Sequence, residues 1–185
     1  MGRTVPSLES DFHSKCAFPS RALREPFVYL IEKAEKEIYF VTTSAPFKLR
    51  EAVDLSRPFK HAIQERGLQS ILLLSDPSSK YLGPKPGAVE RAERKDIEET
   101  IERLRLLQLS KNFQIRLYDE DIDYSMILLD PEDQERGMIE VELHLDLDTT
   151  NRPAFRLRPT DDGFAHYYQR FKNLRSHSRL VGKTR

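Results

Sequence analysis

The sequence predicts an α/β fold: a mixed β-sheet flanked by helices in three layers. Three observations carry this expectation. Residues 68–74 form a nearly continuous apolar run, which suits a strand covered on both faces in a parallel sheet. Helical and strand-like periodicities alternate up to residue 109, and four strand-like runs then follow with no helix between them, so parallel crossovers precede an antiparallel meander. The 185 residues are 38% hydrophobic, enough to bury one core and too much for a disordered chain.

Residues 1–20 mix Pro6 and Pro19 with serines and read as a leader, partly mobile; residues 21–176 read as the single domain and 177–185 as a basic tail. Pro26 sits in the first turn of a helix whose Phe27, Leu30, Ile31 and Ala34 recur at i, i+3, i+4 and i+7. Residues 38–43 are β-branched and aromatic and read as a strand ending at Ser44-Ala45-Pro46. A short helix over 57–66 stops at Gly67 in the C′ position. The apolar run 68–74 closes at Ser75-Asp76-Pro77. Beyond Pro84, Pro86 and Gly87, the longest helix spans 88–109, with Ile97, Ile101 and Leu104 on one stripe and Glu and Arg on the others. The later strands are 113–118, 124–129, 138–147 and 154–158. In the third of these, Val141, Leu143, Leu145 and Leu147 alternate with Glu142, His144, Asp146 and Asp148, which predicts one face in water. Asp161 or Asp162 caps a final helix with an apolar stripe of Phe164, Tyr167, Tyr168, Phe171 and Leu174.

Thirty Lys+Arg balance thirty Asp+Glu, but unevenly along the chain. Residues 119–148 carry twelve acids against Arg136, net −11, and residues 151–185 carry nine bases against Asp161 and Asp162, net +7. Such segments neutralise each other within the fold or between copies. The alternative is a basic tail, 175–185, that touches nucleic acid or anionic lipid, although it lacks the aromatics that stack on bases. Nucleic acid is not otherwise expected as a partner. A single Cys16 excludes an intrachain disulfide and a Cys-rich zinc site. No apolar run approaches the roughly 18 residues of a membrane span, and no signal-peptide core opens the chain. The expected location is the cytoplasm.

Phosphate-binding glycine loops, a nucleophile elbow and HExxH are all absent. The five histidines lie on different elements, so neither a metal nor another cofactor is expected; His144, Asp146 and Asp148 share a strand face but diverge along it. Open α/β sheets bind ligands beyond the carboxyl ends of their strands. Those ends carry Thr42, Thr43, Ser44, Ser75, Asp76, Ser78 and Ser79, whose hydroxyls can serve a small polar or phosphorylated ligand or ordinary turns and caps.

The succession of IYFVTTSAPF, PFKHAIQERGLQSILLLSDPSS, a long charged helix, FQIRLYDEDIDYSMILLDPE and DGFAHYYQRFKNL resembles one half of the phospholipase D-like superfamily, over residues 22–176. The resemblance implies a site built on His-x-Lys-x-x-x-x-Asp, with the imidazole attacking phosphorus and the ammonium holding phosphoryl oxygens. That spacing falls on Asp123, Ser125 and Asp130, so only the last residue type is retained. His13-Ser14-Lys15 repeats the first half of the motif, but with Ser20 where the acid belongs. The resemblance therefore implies a degenerate site with no catalytic residue, in a ligand-binding or regulatory domain. It also implies a homodimer, since active members assemble two halves around one site. Two alternatives remain open: a scaffold or accessory subunit of a larger assembly, and a diverged phosphodiesterase or hydrolase using His144 with nearby acids.

Overall fold

The computed structural model describes residues 17–18, 27–43, 52–82, 89–104, 110–144 and 152–182. Its strands are β1 (Ala17–Phe18), β2 (Glu37–Thr42), β3 (Gln69–Ser75), β4 (Phe113–Tyr118), β5 (Tyr124–Leu129), β6 (Met138–Leu143), β7 (Ala154–Leu157) and β8 (Arg179–Leu180). Its helices are α1 (Phe27–Lys33), α2 (Ala52–Gln64), α3 (Val89–Leu104) and α4 (Asp162–His177). All eight strands join one sheet in the order β1-β7-β6-β5-β2-β3-β4-β8. β2, β3 and β4 are parallel, linked through α2 and α3. β5 then lies antiparallel to β2, not to β4, and β6 and β7 continue the meander.

The alternation of side chains along β2 and β3 divides the core in two. Ile38, Phe40, Leu72 and Leu74 face α1, α2 and α3, where Leu30, Ile31, Phe59, Ile63 and Ile97 are buried. Tyr39, Val41 and Leu73 face α4, which contributes Phe164, Phe171 and Leu174. Tyr39 stacks on Phe171 with centroids 4.8 Å apart. This is the mixed three-layer α/β arrangement expected from the periodicities.

The differences have local causes. α2 begins at Ala52 and carries Pro58 inside it, where the sequence places a first turn at residue 57. Pro58 lies past the first turn and has no N–H for the carbonyl four residues earlier, so α2 runs through it with one backbone hydrogen bond missing. Gly67 takes the left-handed conformation, φ +74°, as its C′ reading requires, and the turn lets the Leu68 N–H reach the Ala62 carbonyl. The longest helix is described to Leu104 and β6 to Leu143; the proposed extensions to 109 and 147 lie outside the described residues.

The expected wet face of β6 is overturned at its glutamates. Glu140 and Glu142 are 2% and 7% exposed. β6 lies between β5 and β7, and β7 brings Arg156 and the preceding Arg152 to the same face. Arg156 donates through Nε and Nη2 to Glu140 Oε2, both at 3.0 Å, and Arg152 Nη1 lies 3.7 Å from Glu142 Oε1. Strand alternation in the sequence marks the two faces correctly, but charge alone does not say that a face is solvated. Residues assigned to leader and tail also enter the sheet: Ala17–Phe18 pair with β7, and Arg179–Leu180 with β4. Two-residue strands carry no readable period.

Candidate functional site

The sheet order places the carboxyl ends of β2, β3, β4 and β6 on one side, together with the start of β5. β4 and β5 are three strand spacings apart, a gap of about 14 Å. Residues 119–123, which span at most about 20 Å, must cross it over the ends of β3 and β2. The connection is fastened at several points. Asp76 N donates to the Tyr118 carbonyl at 2.8 Å, Ser79 Oγ donates to Asp119 Oδ1 at 2.6 Å, and Ile122 is buried. Beneath it, Ser75 Oγ donates to Tyr118 Oη at 3.1 Å, and that hydroxyl donates to the Thr42 carbonyl at 3.0 Å. Burial pushes the Tyr118 phenol far above its ordinary range and keeps it neutral.

The hydroxyl-rich strand ends are therefore largely engaged with the chain itself. Asp76 Oδ1 accepts from Ser78 N at 2.9 Å and Ser78 Oγ at 2.7 Å, an Asx turn, while Oδ2 accepts from Arg179 Nε at 2.7 Å. Burial opposes ionisation of this carboxyl, but the Arg179 and Ser78 hydrogen bonds outweigh it and hold its pKa at about 2. Arg94 donates to the Pro77, Ser79 and Leu82 carbonyls and clamps the same loop. Thr42 is buried, Thr43 is half-buried, and Ser44 lies outside the described residues.

The three motif positions separate. Asp130 ends β5 with φ +40° and is buried. Its Oδ1 accepts from Lys36 N and Glu37 N and its Oδ2 from Glu35 N, each at 2.8 Å, tying the end of β5 to the turn before β2. Asp123 is exposed just before β5, and Ser125 follows on the strand. Register sets Ser125 opposite Glu142, and the His144 N–H donates to the Asp123 carbonyl at 2.6 Å. Ser125, Glu142 and His144 consequently share one face of the sheet. Ser125 Oγ and His144 Nε2 are 2.6 Å apart. The sequence names both residues separately; their contact depends on the pairing of β5 with β6, for which strand alternation was the only signal. Arg152 completes the patch beside Glu142, and its buried Nε has no hydrogen-bond partner among the described residues.

Asp146, Asp148 and His13-Ser14-Lys15 lie outside the described residues. Among the described residues, no group of three or more His, Cys, Asp or Glu side chains is placed to hold a metal ion. No described helix is long and apolar enough to cross a membrane.

No family model and no curated protein matches the sequence. Solved structures do match in three dimensions. Phosphatidylserine synthase of Haemophilus influenzae Rd KW20 aligns with 83% of this chain at TM-score 0.52 and 12% identity; this chain covers 36% of the synthase. NucT from Helicobacter pylori aligns over 83% of this chain and 87% of its own, at TM-score 0.51 and 10% identity. Nuc, a phospholipase D family member from Salmonella typhimurium, aligns over the same shares at TM-score 0.43 and 13% identity. The mixed sheet between helices, with its parallel and antiparallel halves meeting at β2 and β5, is a phospholipase D-like fold.

Proposed function

We propose that this domain has lost phosphodiester transfer and works by recognition, as a regulatory or interaction module that binds a small polar ligand or a protein partner in the cytoplasm and associates with a second copy. One observation carries the reading: Asp123 and Ser125 stand where the resemblance places the attacking imidazole and the phosphate-holding ammonium. A carboxylate at the first position repels a phosphodiester, and a hydroxyl at the second supplies no positive charge. Asp119, Glu120 and Asp121, on the connection that crosses the strand ends, add to the repulsion.

The test is hydrolysis of bis(p-nitrophenyl) phosphate and of single-stranded DNA by the wild-type protein, with and without chelator. Rates equal to those of heat-denatured protein are expected. Turnover above that level with either substrate overturns the reading. Binding is sought through the melting temperature against a panel of uncharged and cationic metabolites, since a ligand specific for the native state raises it.

A further inference from the structure

The patch at the ends of β5, β6 and β7 holds more than a vacated phosphate site. We propose that Ser125 and His144 form a nucleophile and general-base pair for acyl transfer, with an uncharged or cationic carboxylic ester as substrate. The proposal rests on one premise of the reading above, that phosphodiester transfer is absent, and departs from it in giving this patch a catalytic rather than a recognition role.

Three observations carry it. Ser125 Oγ and His144 Nε2 are 2.6 Å apart, within the range that lets an imidazole take a hydroxyl proton. Both side chains are half-buried, between solvent and core. Their carriers are rigid: β5 and β6 are paired through their full lengths, and the His144 N–H is bound to the Asp123 carbonyl. The charge of the surroundings selects the substrate. Asp123 and Glu142 outweigh Arg152, so a neutral or cationic ester is admitted more readily than an anionic one.

The balanced sequence is as follows. With the His144 proton on Nδ1, Nε2 accepts the Ser125 proton as Oγ bonds to the ester carbonyl carbon, whose oxygen becomes anionic. Collapse breaks the ester C–O bond, and His144 returns its proton to the departing alkoxide, releasing the alcohol. Water then attacks the acyl-serine and gives a proton to Nε2. The second collapse frees the carboxylic acid and reprotonates Ser125.

The experiment treats the full chain with an uncharged fluorophosphonate and reads adducts by intact-protein mass spectrometry and peptide mapping, alongside p-nitrophenyl butyrate hydrolysis. One adduct on Ser125 is expected. Ser125→Ala should abolish it, and His144→Gln should slow both reactions by roughly 10²-fold or more. Circular dichroism melts establish that each variant is folded, and Ser125→Cys, probed with iodoacetamide, gives an independent readout of activation by His144. An unlabelled wild type, or equal labelling of wild type and Ser125→Ala, overturns the proposal. Phosphodiester turnover in the preceding assay would instead overturn the reading on which it rests.

Discussion

Asp130 holds the turn ahead of β2 through three backbone N–H groups, a structural task for a residue whose position in the spacing coincides with a catalytic motif. Asp130→Ala removes both acceptor oxygens, and with them all three hydrogen bonds, and places a β-carbon residue without local hydrogen bonding at φ +40°. The expected loss is on the order of 3 kcal/mol, read from urea denaturation. Asp130→Asn tolerates the backbone and keeps the Oδ1 acceptor of two of the bonds, so it should cost about half as much. An unchanged midpoint for the alanine variant would remove Asp130 from this role. The sequence shows that Asp130 ends a strand before Pro131. It does not show the acceptor's partners, because they lie up to 95 residues away and meet it only through the pairing of β2 with β5. Ser125 and His144 are hidden for the same reason at shorter range: each is legible, and their diagonal contact is not.

Among the elements, β6 departs most from its sequence reading. Its glutamates are buried because β7 supplies arginines at matching register, Glu140 opposite Arg156. Breaking such a pair strands a charge, whereas replacing both partners with apolar groups need not. Arg156→Met should therefore cost about 3–5 kcal/mol, and Glu140→Leu with Arg156→Met should recover most of it. A single variant as stable as wild type would show that the pair contributes nothing. β8 makes the second departure. Arg116 donates to the Ser178 hydroxyl at 2.8 Å and carbonyl at 2.7 Å, the Val181 N–H donates to the Ile115 carbonyl, and Val181 is buried. A chain ending at Ser176 should thus melt roughly 5–15 °C lower. One ending at Gly182 should match the full chain. Equal melting of the Ser176 form would make β8 dispensable.

For the whole molecule, the periodicities made the two halves of the sheet legible, since a run covered on both faces and an alternating run differ in plain sequence. The neighbour of β5 was not legible: hydrophobic pattern selects a face, never the strand alongside. The net −11 and +7 segments are likewise resolved only by the fold. Glu140 and Glu142 pair with Arg156 and Arg152, and Glu120 lies 3.5 Å from Arg170. Charge satisfied within one chain gives little attraction between two. A homodimer, if formed, should accordingly be held by apolar contact and persist in sedimentation between about 0.1 M and 1 M salt, where the Debye length falls from about 10 to 3 Å. A species of 21.6 kDa at both salt concentrations, at tens of micromolar protein, would remove the dimer.

The position of β2 between a parallel and an antiparallel neighbour also sets the order in which the chain can mature. β3 and β4 can join β2 once residue 118 is available, but β5 closes its other edge only later, across a separation of 93 residues at the Glu37–Asp130 contact. Until then β2 presents an open row of backbone donors and acceptors flanked by Ile38, Phe40 and Val41. Closing so long a loop makes this pairing late and slow. The interval is one in which nascent chains are open to strand pairing with one another, and to chaperones that bind extended apolar segments.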